Sequence, residues 1–171
     1  MTASPDVMIR PADAADAQPI GAVFDAAVLH GWTYLEGIED LVPMFPPEHW
    51  DEFLAGTTRP DSIHVAQAAD DVVGYTATKA PSPEDPALGE LYLLFVHPDA
   101  AGLGIGRTLL STSHAALREA GAERVFLFTH ERNLRARSVY RAAGYVEDGV
   151  VREEEFRGRL LTEVRMVADL S

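Results

Sequence analysis

Apolar and polar positions divide this 171-residue chain into elements before any other property is considered. Val7–Arg10 reads as a short strand, broken at Pro11. From Asp13 the pattern turns helical: Ile20, Val23, Phe24, Ala27 and Val28 recur at three- and four-residue steps, and Gly31 is placed to end the helix. The stretch GWTYLEGIEDLVPMFPPEHW mixes aromatics, glycines and prolines and reads as a loop with short helical pieces. Within it, Pro47 through Leu54 predicts one helix, with Gly56 after it. Ile63–Ala68 and Val72–Lys79 flank a short polar turn and predict a hairpin, and APSPEDPALG reads as an exposed loop.

The next segment, ELYLLFV (Glu90–Val96), is apolar on nearly both sides, as expected in the middle of a sheet. Strict alternation would set Glu90, Tyr92, Leu94 and Val96 on one face and Leu91, Leu93 and Phe95 on the other. A glycine-rich segment follows, then a helix to about Ala120 with the stripe Leu109, Leu110, Ala116, Leu117 and Ala120. RVFLFTH (Arg124–His130) is a second buried strand, so strand, helix and strand form a right-handed βαβ unit with a parallel pair. A helix from Asn133 is expected to turn Leu134, Ala136, Val139, Tyr140 and Ala143 inward and to stop at Gly144. Two final strands, Val146–Phe156 and Arg159–Ala168, are joined by Arg157–Gly158.

Composition narrows the class without naming a function. At 171 residues, 47% hydrophobic and 24% charged, the chain reads as one globular domain over 1–171. It has no cysteine, which removes thiolate chemistry, disulfides and cysteine metal ligands. The first residues lack a secretory pattern and no apolar run is long enough for a membrane span, so a cytoplasmic protein without a membrane partner is expected. A net charge of −13 argues against a nucleic-acid partner. The charge is uneven: residues 1–60 hold ten acidic side chains against Arg10 and Arg59, whereas residues 107–165 hold eleven arginines. The acidic part suits a cationic ligand and the arginine-rich part an anionic one, although an acidic surface also simply aids solubility.

The main chemical signal is VHPDAAGLGIGRTLL, with Gly102, Gly104 and Gly106 at the start of a helix. Arg107 follows Gly106, so no G-K-[ST] of a P-loop is present. The G-x-G-x-G spacing, five residues beyond Val96, fits a dinucleotide fingerprint poorly. Two readings stay open: a plain glycine turn, or a loop whose successive N–H groups converge on a pyrophosphate at a helix N-terminus.

Taken together, Val96, Pro98, Gly102, Gly104 and Gly106, then Glu131, Asn133, Ala136, Tyr140, Gly144 and Tyr145, resemble the GNAT superfamily of acyl-CoA-dependent N-acetyltransferases. The opening IRPADAADAQPIGAVF is similar to the first strand and helix of that family, so the resemblance spans nearly the whole chain. It implies a mixed α/β (α+β) fold: a bent central sheet of six or seven strands, helices on both faces, and a splayed pair of parallel central strands. It also implies acetyl-CoA as cosubstrate, with no metal. Leu94, Phe95 and Val96 would pair with the pantetheine arm, and Ala101, Gly102, Leu103, Gly104, Ile105, Gly106 and Arg107 would surround the pyrophosphate. Ala101 departs from the Gln or Arg usual before the first glycine, and Arg107 stands in the first helical turn, where it could compensate.

The implied reaction is direct attack of a primary amine on the thioester, with acetyl or a related acyl group transferred. The resemblance assigns Tyr140 as proton donor to the departing thiolate, and a phenol with a pKa of about 10 is protonated at neutral pH. Asn133 corresponds to a pantetheine contact, and it also suits a helix N-cap. A backbone N–H near Val96 would serve as oxyanion donor. Glu90 matches a catalytic glutamate of some members. It lies six residues before Val96, roughly 20 Å on a straight strand at about 3.3 Å per residue, so it needs a bulge, a suitable substrate pose or a water relay.

Trp32, Tyr34 and Glu36 occupy the loop where the family shapes its acceptor cleft, and aromatics with carboxylates suit a cationic small-molecule or peptide amine. Tyr92 is a further candidate for that cleft. His97 and His130 follow adjacent strands, with His130 the better proton carrier, and six histidines without metal spacing give no metal site. Homodimers are common in the family. Two rival classes stand beside the enzyme: a non-catalytic acyl-CoA-binding module, and a phosphotransferase, for which neither the lysine nor the carboxylate pair is evident.

Overall fold

The computed structural model describes residues 6–56 and 60–170. Their elements run β1 (Val7–Pro11), α1 (Ala17–Gly31), α2 (Pro47–Ala55), β2 (Ser62–Ala68), β3 (Asp71–Lys79), β4 (Leu88–Val96), α3 (Ile105–Glu119), β5 (Arg124–His130), α4 (Leu134–Ala142), β6 (Val146–Phe156) and β7 (Arg159–Asp169). One seven-stranded mixed sheet carries them in the order β1-β2-β3-β4-β5-β7-β6. The mixed α/β expectation and the strand count therefore hold. None of the described helices is long and apolar enough to cross a membrane.

Each face of the sheet has its own core. On one face, α1 and α2 bury Ile20, Val23, Phe24, Val28 and Trp50 against Val65 and Tyr75, with Leu93 and Phe95 packed alongside. On the other, α3 buries Leu110 and Leu117 against Leu91, Val125, Leu127 and Met166, and Ile105 and Leu109 against Ala66. A buried polar pair ties α3 to the sheet: the Thr76 hydroxyl lies 2.6 Å from that of Ser113, and Thr76 also donates to the Leu93 carbonyl at 3.0 Å.

Strict alternation fails at one point in β4. Ala77 pairs with Leu93, but the next β3 residue, Thr78, pairs with Leu91. Tyr92 is the extra residue of a β-bulge, which shifts the pleat by one position. Glu90 and Tyr92 thus join Leu93 and Phe95 on the α1 face, while Leu91 packs with Leu94 under α3.

Helix α4 is a second correction. It has no fully buried residue: Leu134 and Val139 are 68% and 56% exposed, and Ala143 is also exposed. Tyr140 and the fully buried Tyr145 just beyond the helix supply the inward contact. The Tyr145 hydroxyl meets His114 Nε2 of α3 at 2.7 Å, and its ring centre lies 5.6 Å from that of Tyr140.

Candidate functional site

The site begins where β4 and β5 stop pairing. Their parallel ladder covers only Leu88, Gly89 and Glu90 against Arg124, Val125 and Phe126, although both strands continue. On its other side β4 stays bonded to β3: Tyr75 pairs with Phe95, and the His97 N–H donates to the Val73 carbonyl at 2.8 Å. Backbone direction alternates along an antiparallel pair. Phe95 therefore turns its backbone toward β3, whereas Leu94 and Val96 turn N–H and C=O into the gap. The Phe95 side chain goes into the aromatic core, 5.0 Å from Phe24.

The gap leads to the glycine loop. Gly102 and Gly104 have φ of 82° and 81°, a left-handed conformation that disfavours a side chain. A Cβ at either position would meet nothing within 4 Å, so the loop forms an open cradle. At Gly106 a Cβ would lie 3.7 Å from Val96, an ordinary van der Waals contact. The first bond of α3 runs from Thr108 N–H to Gly104 C=O, and among the described residues the N–H groups of 102–107 have no backbone acceptor. These donors, at the positive end of a 15-residue helix, fit a diphosphate. Ala101 contributes less, because its N–H is bonded to the Pro98 carbonyl at 3.0 Å. Leu103 on the loop and Arg107 in the first turn of α3 are exposed, and Ile105 is buried.

Asn133 caps α4, accepting from the Ala136 N–H at 3.1 Å. Tyr140 is half-buried, and burial pushes its phenol up to about 12.

The α1 face of the gap gathers most of the other candidates. Glu90 lies 3.7 Å from Lys79 Nζ, which also sits 3.6 Å from the Tyr92 ring centre. Tyr34 stacks on His130, ring centres 4.7 Å apart, with its hydroxyl buried and without a hydrogen-bond partner. Burial and the nearby Glu163 push that phenol well above its ordinary value. His130 Nδ1 accepts the Arg132 N–H at 3.0 Å, so its neutral ring carries hydrogen on Nε2. Burial, chiefly, lowers its pKa and favours that neutral form. Trp32 packs edge-on to Phe156, 5.8 Å between centres, and anchors the loop to the β6–β7 hairpin. Glu36 stays exposed, with no ion pair among the described residues. His97 is occupied in its own turn, where Nδ1 accepts the Asp99 N–H. The described residues hold no group of three or more metal-ligating side chains.

Residues 31–145 match the family model described as Acetyltransferase (GNAT) family. The chain belongs to that family. It is 36% identical over 94 residues to the mycothiol acetyltransferase of Geodermatophilus obscurus, covering 53% of this chain and 30% of that protein. It spans about a third of the length of the curated relatives it matches. Among solved structures, the ribosomal-protein-alanine N-acetyltransferase of Brucella melitensis superposes with a TM-score of 0.73 at 26% identity, over 95% of this chain and 99% of that one. PaiA N-acetyltransferase of Thermoplasma acidophilum, in complex with coenzyme A, superposes with a TM-score of 0.74 at 19% identity, over 96% and 99%. The GNAT fold expected from the sequence is thus the fold observed.

Several residues at this face escaped the sequence reading. Phe126 and Phe128 share the β5 face of His130, opposite the buried Val125, Leu127 and Thr129. Arg152 of β6 lies over the Phe128 ring at 3.8 Å and donates from Nε to Glu163 at 2.7 Å. The available signal was the two-residue period of RVFLFTH, which separates these two sets.

Proposed function

We propose that this chain, acting as one domain, transfers an acetyl group from acetyl-CoA to a primary amine. The carrying observation is the pair of free backbone edges, Leu94 and Val96 in the β4–β5 gap and the amides of 102–107 at the start of α3. A pantetheine arm has amides that can pair along such an edge, and a diphosphate suits the cradle. The acetyl transfer named in the curated relatives supports the same reading.

Acetyl-CoA, when bound, supplies the thioester carbon that the amine attacks. A C–N bond forms, the C–S bond breaks, and coenzyme A leaves as its thiol. The Leu94 and Val96 N–H groups are the available donors for the carbonyl oxygen as it gains charge. Tyr140 carries the proton for the departing sulfur, and its raised pKa keeps it protonated at neutral pH.

The amine arrives as an ammonium and must lose a proton before it attacks. Glu90 is the assigned acceptor, because the bulge turns it onto the acceptor face. His130 fits less well as base, since its Nδ1 lone pair is already engaged. Tyr34, Tyr92 and Trp32 form the walls of the acceptor cleft, and the carboxylates of Glu90 and of Glu154, a β6 residue whose charge acts on Tyr92, favour the cationic amine.

A second reading is a non-catalytic acyl-CoA-binding module. Ala101 favours it, offering neither a side-chain donor nor a free N–H to the cradle. Calorimetry with coenzyme A, paired with thiol release from acetyl-CoA on an amine panel, decides the matter. Binding with amine-dependent release is expected. Binding alone would establish the module, and no binding would overturn both.

A further inference from the structure

We propose that Arg152 is an anion anchor in the acceptor cleft, so that the preferred acceptor is an amine that also carries a carboxylate. This rests on the transferase reading above and names its substrate class. Phe128 lies two residues past Phe126, the last β5 residue paired with β4, on the strand face it shares with His130. The Arg152 guanidinium reaches in from β6 and lies 3.8 Å from the centre of that ring. Its charge also acts on Tyr92 across the gap, as does that of Glu90. Arg152 and the assigned base thus both act electrostatically on one aromatic ring of the acceptor face.

The manner of its pairing leaves Arg152 with free donors, unlike the arginines that hold a carboxylate through two nitrogens. Arg10 grips Asp16 through both terminal nitrogens. Arg137 holds Glu147 through Nε and a terminal nitrogen, and Arg165 holds Asp148 in the same way. Arg152 meets Glu163 through Nε alone, at 2.7 Å, and its terminal nitrogens have no partner among the described residues. Glu163 and Phe128 fix the plane of the guanidinium, and its outer edge stays open on a side chain that is 41% exposed. That edge is the donor pair that takes a carboxylate bidentately. Glu154, which also acts on Tyr92, adds a negative charge that favours the ammonium end of the same molecule.

The test uses matched pairs, each an α-amino acid and the amine left when its carboxylate is removed, such as phenylalanine with phenethylamine and arginine with agmatine. Thiol release from acetyl-CoA gives kcat/KM for each member. The carboxylated members are expected to lead by about tenfold or more, the range of a charge-assisted bidentate contact. Arg152→Gln is expected to collapse that ratio, chiefly through KM, and Arg152→Lys to recover part of it. Equal or reversed preference in the wild type, a ratio that Arg152→Gln leaves intact, or release with no carboxylated member would each overturn the proposal. Coenzyme A titration of the same samples separates the two levels. Absence of coenzyme A binding defeats the transferase reading, whereas intact binding with a wrong ratio defeats only the anchor.

Discussion

Glu90 of β4 stands opposite Phe126 of β5, and that rung is the last the two strands share. Beyond it Val96 keeps its N–H in the gap, while Phe95 spends its own on β3. Proline removes that donor and is tolerated in a strand only where the N–H is not part of the ladder. Val96→Pro is therefore expected to fold and to bind coenzyme A about 3- to 10-fold more weakly, the loss of roughly one hydrogen bond. Phe95→Pro is expected to unfold the domain. Circular dichroism and calorimetry on the two variants check this; equal folding defects would refute the assigned backbone directions.

Gly104 caps α3 in a left-handed conformation over open space. Gly104→Ala meets no clash, so its cost is conformational, about 1 kcal/mol or somewhat more. A lowered unfolding midpoint and weaker coenzyme A binding are expected together, because the same strain tilts the cradle. Coenzyme A affinity equal to wild type would separate the loop's conformation from its ligand.

Tyr140→Phe keeps the ring that packs beside Tyr145 and removes only the hydroxyl. Turnover should fall about 100-fold, the scale of a lost general acid, with little change in coenzyme A affinity. Steady-state kinetics with a good acceptor measures this, and unchanged kcat would remove the proton-donor role.

His114 binds its proton less readily in the folded protein than in the unfolded chain, first because it is buried and then because Arg118 lies near. Stability from this source is complete above the unfolded value, about pH 6.5, and is lost as pH falls through the folded one. His114→Gln removes the titration and should lower the unfolding midpoint at pH 7, where the bond to Tyr145 is intact. The difference from wild type should narrow toward pH 5. A difference independent of pH would show that the imidazole is not held neutral.

The order of elements was legible because α3 and β5 each carry one dominant period and because Gly31, Gly56 and Gly144 mark helix ends. The cradle was legible for a similar reason, since glycine at 102 and 104 reports backbone shape directly. The faces of β4 were not. A bulge leaves no mark in ELYLLFV, where either phase presents apolar residues to a core. The outward turn of Leu134 and Val139 was equally hidden, because periodicity shows that a stripe exists but not whether anything covers it. Arg152 escaped notice inside the charged run REEEF, which reads as solvated surface until β7 and β5 bring it to Phe128.

The extra residue at Tyr92 makes β4 two rulers joined end to end. Residues after it are indexed to the donor and residues before it to the acceptor, so each half can change its chemistry without re-aiming the other. Deleting Tyr92 would merge them into one scale yet leave Glu90 on the α1 face and Leu91 under α3, because the lost residue is the one without a partner on β3. A protein so shortened should still grip its donor and keep its base, while losing one aromatic wall of the cleft.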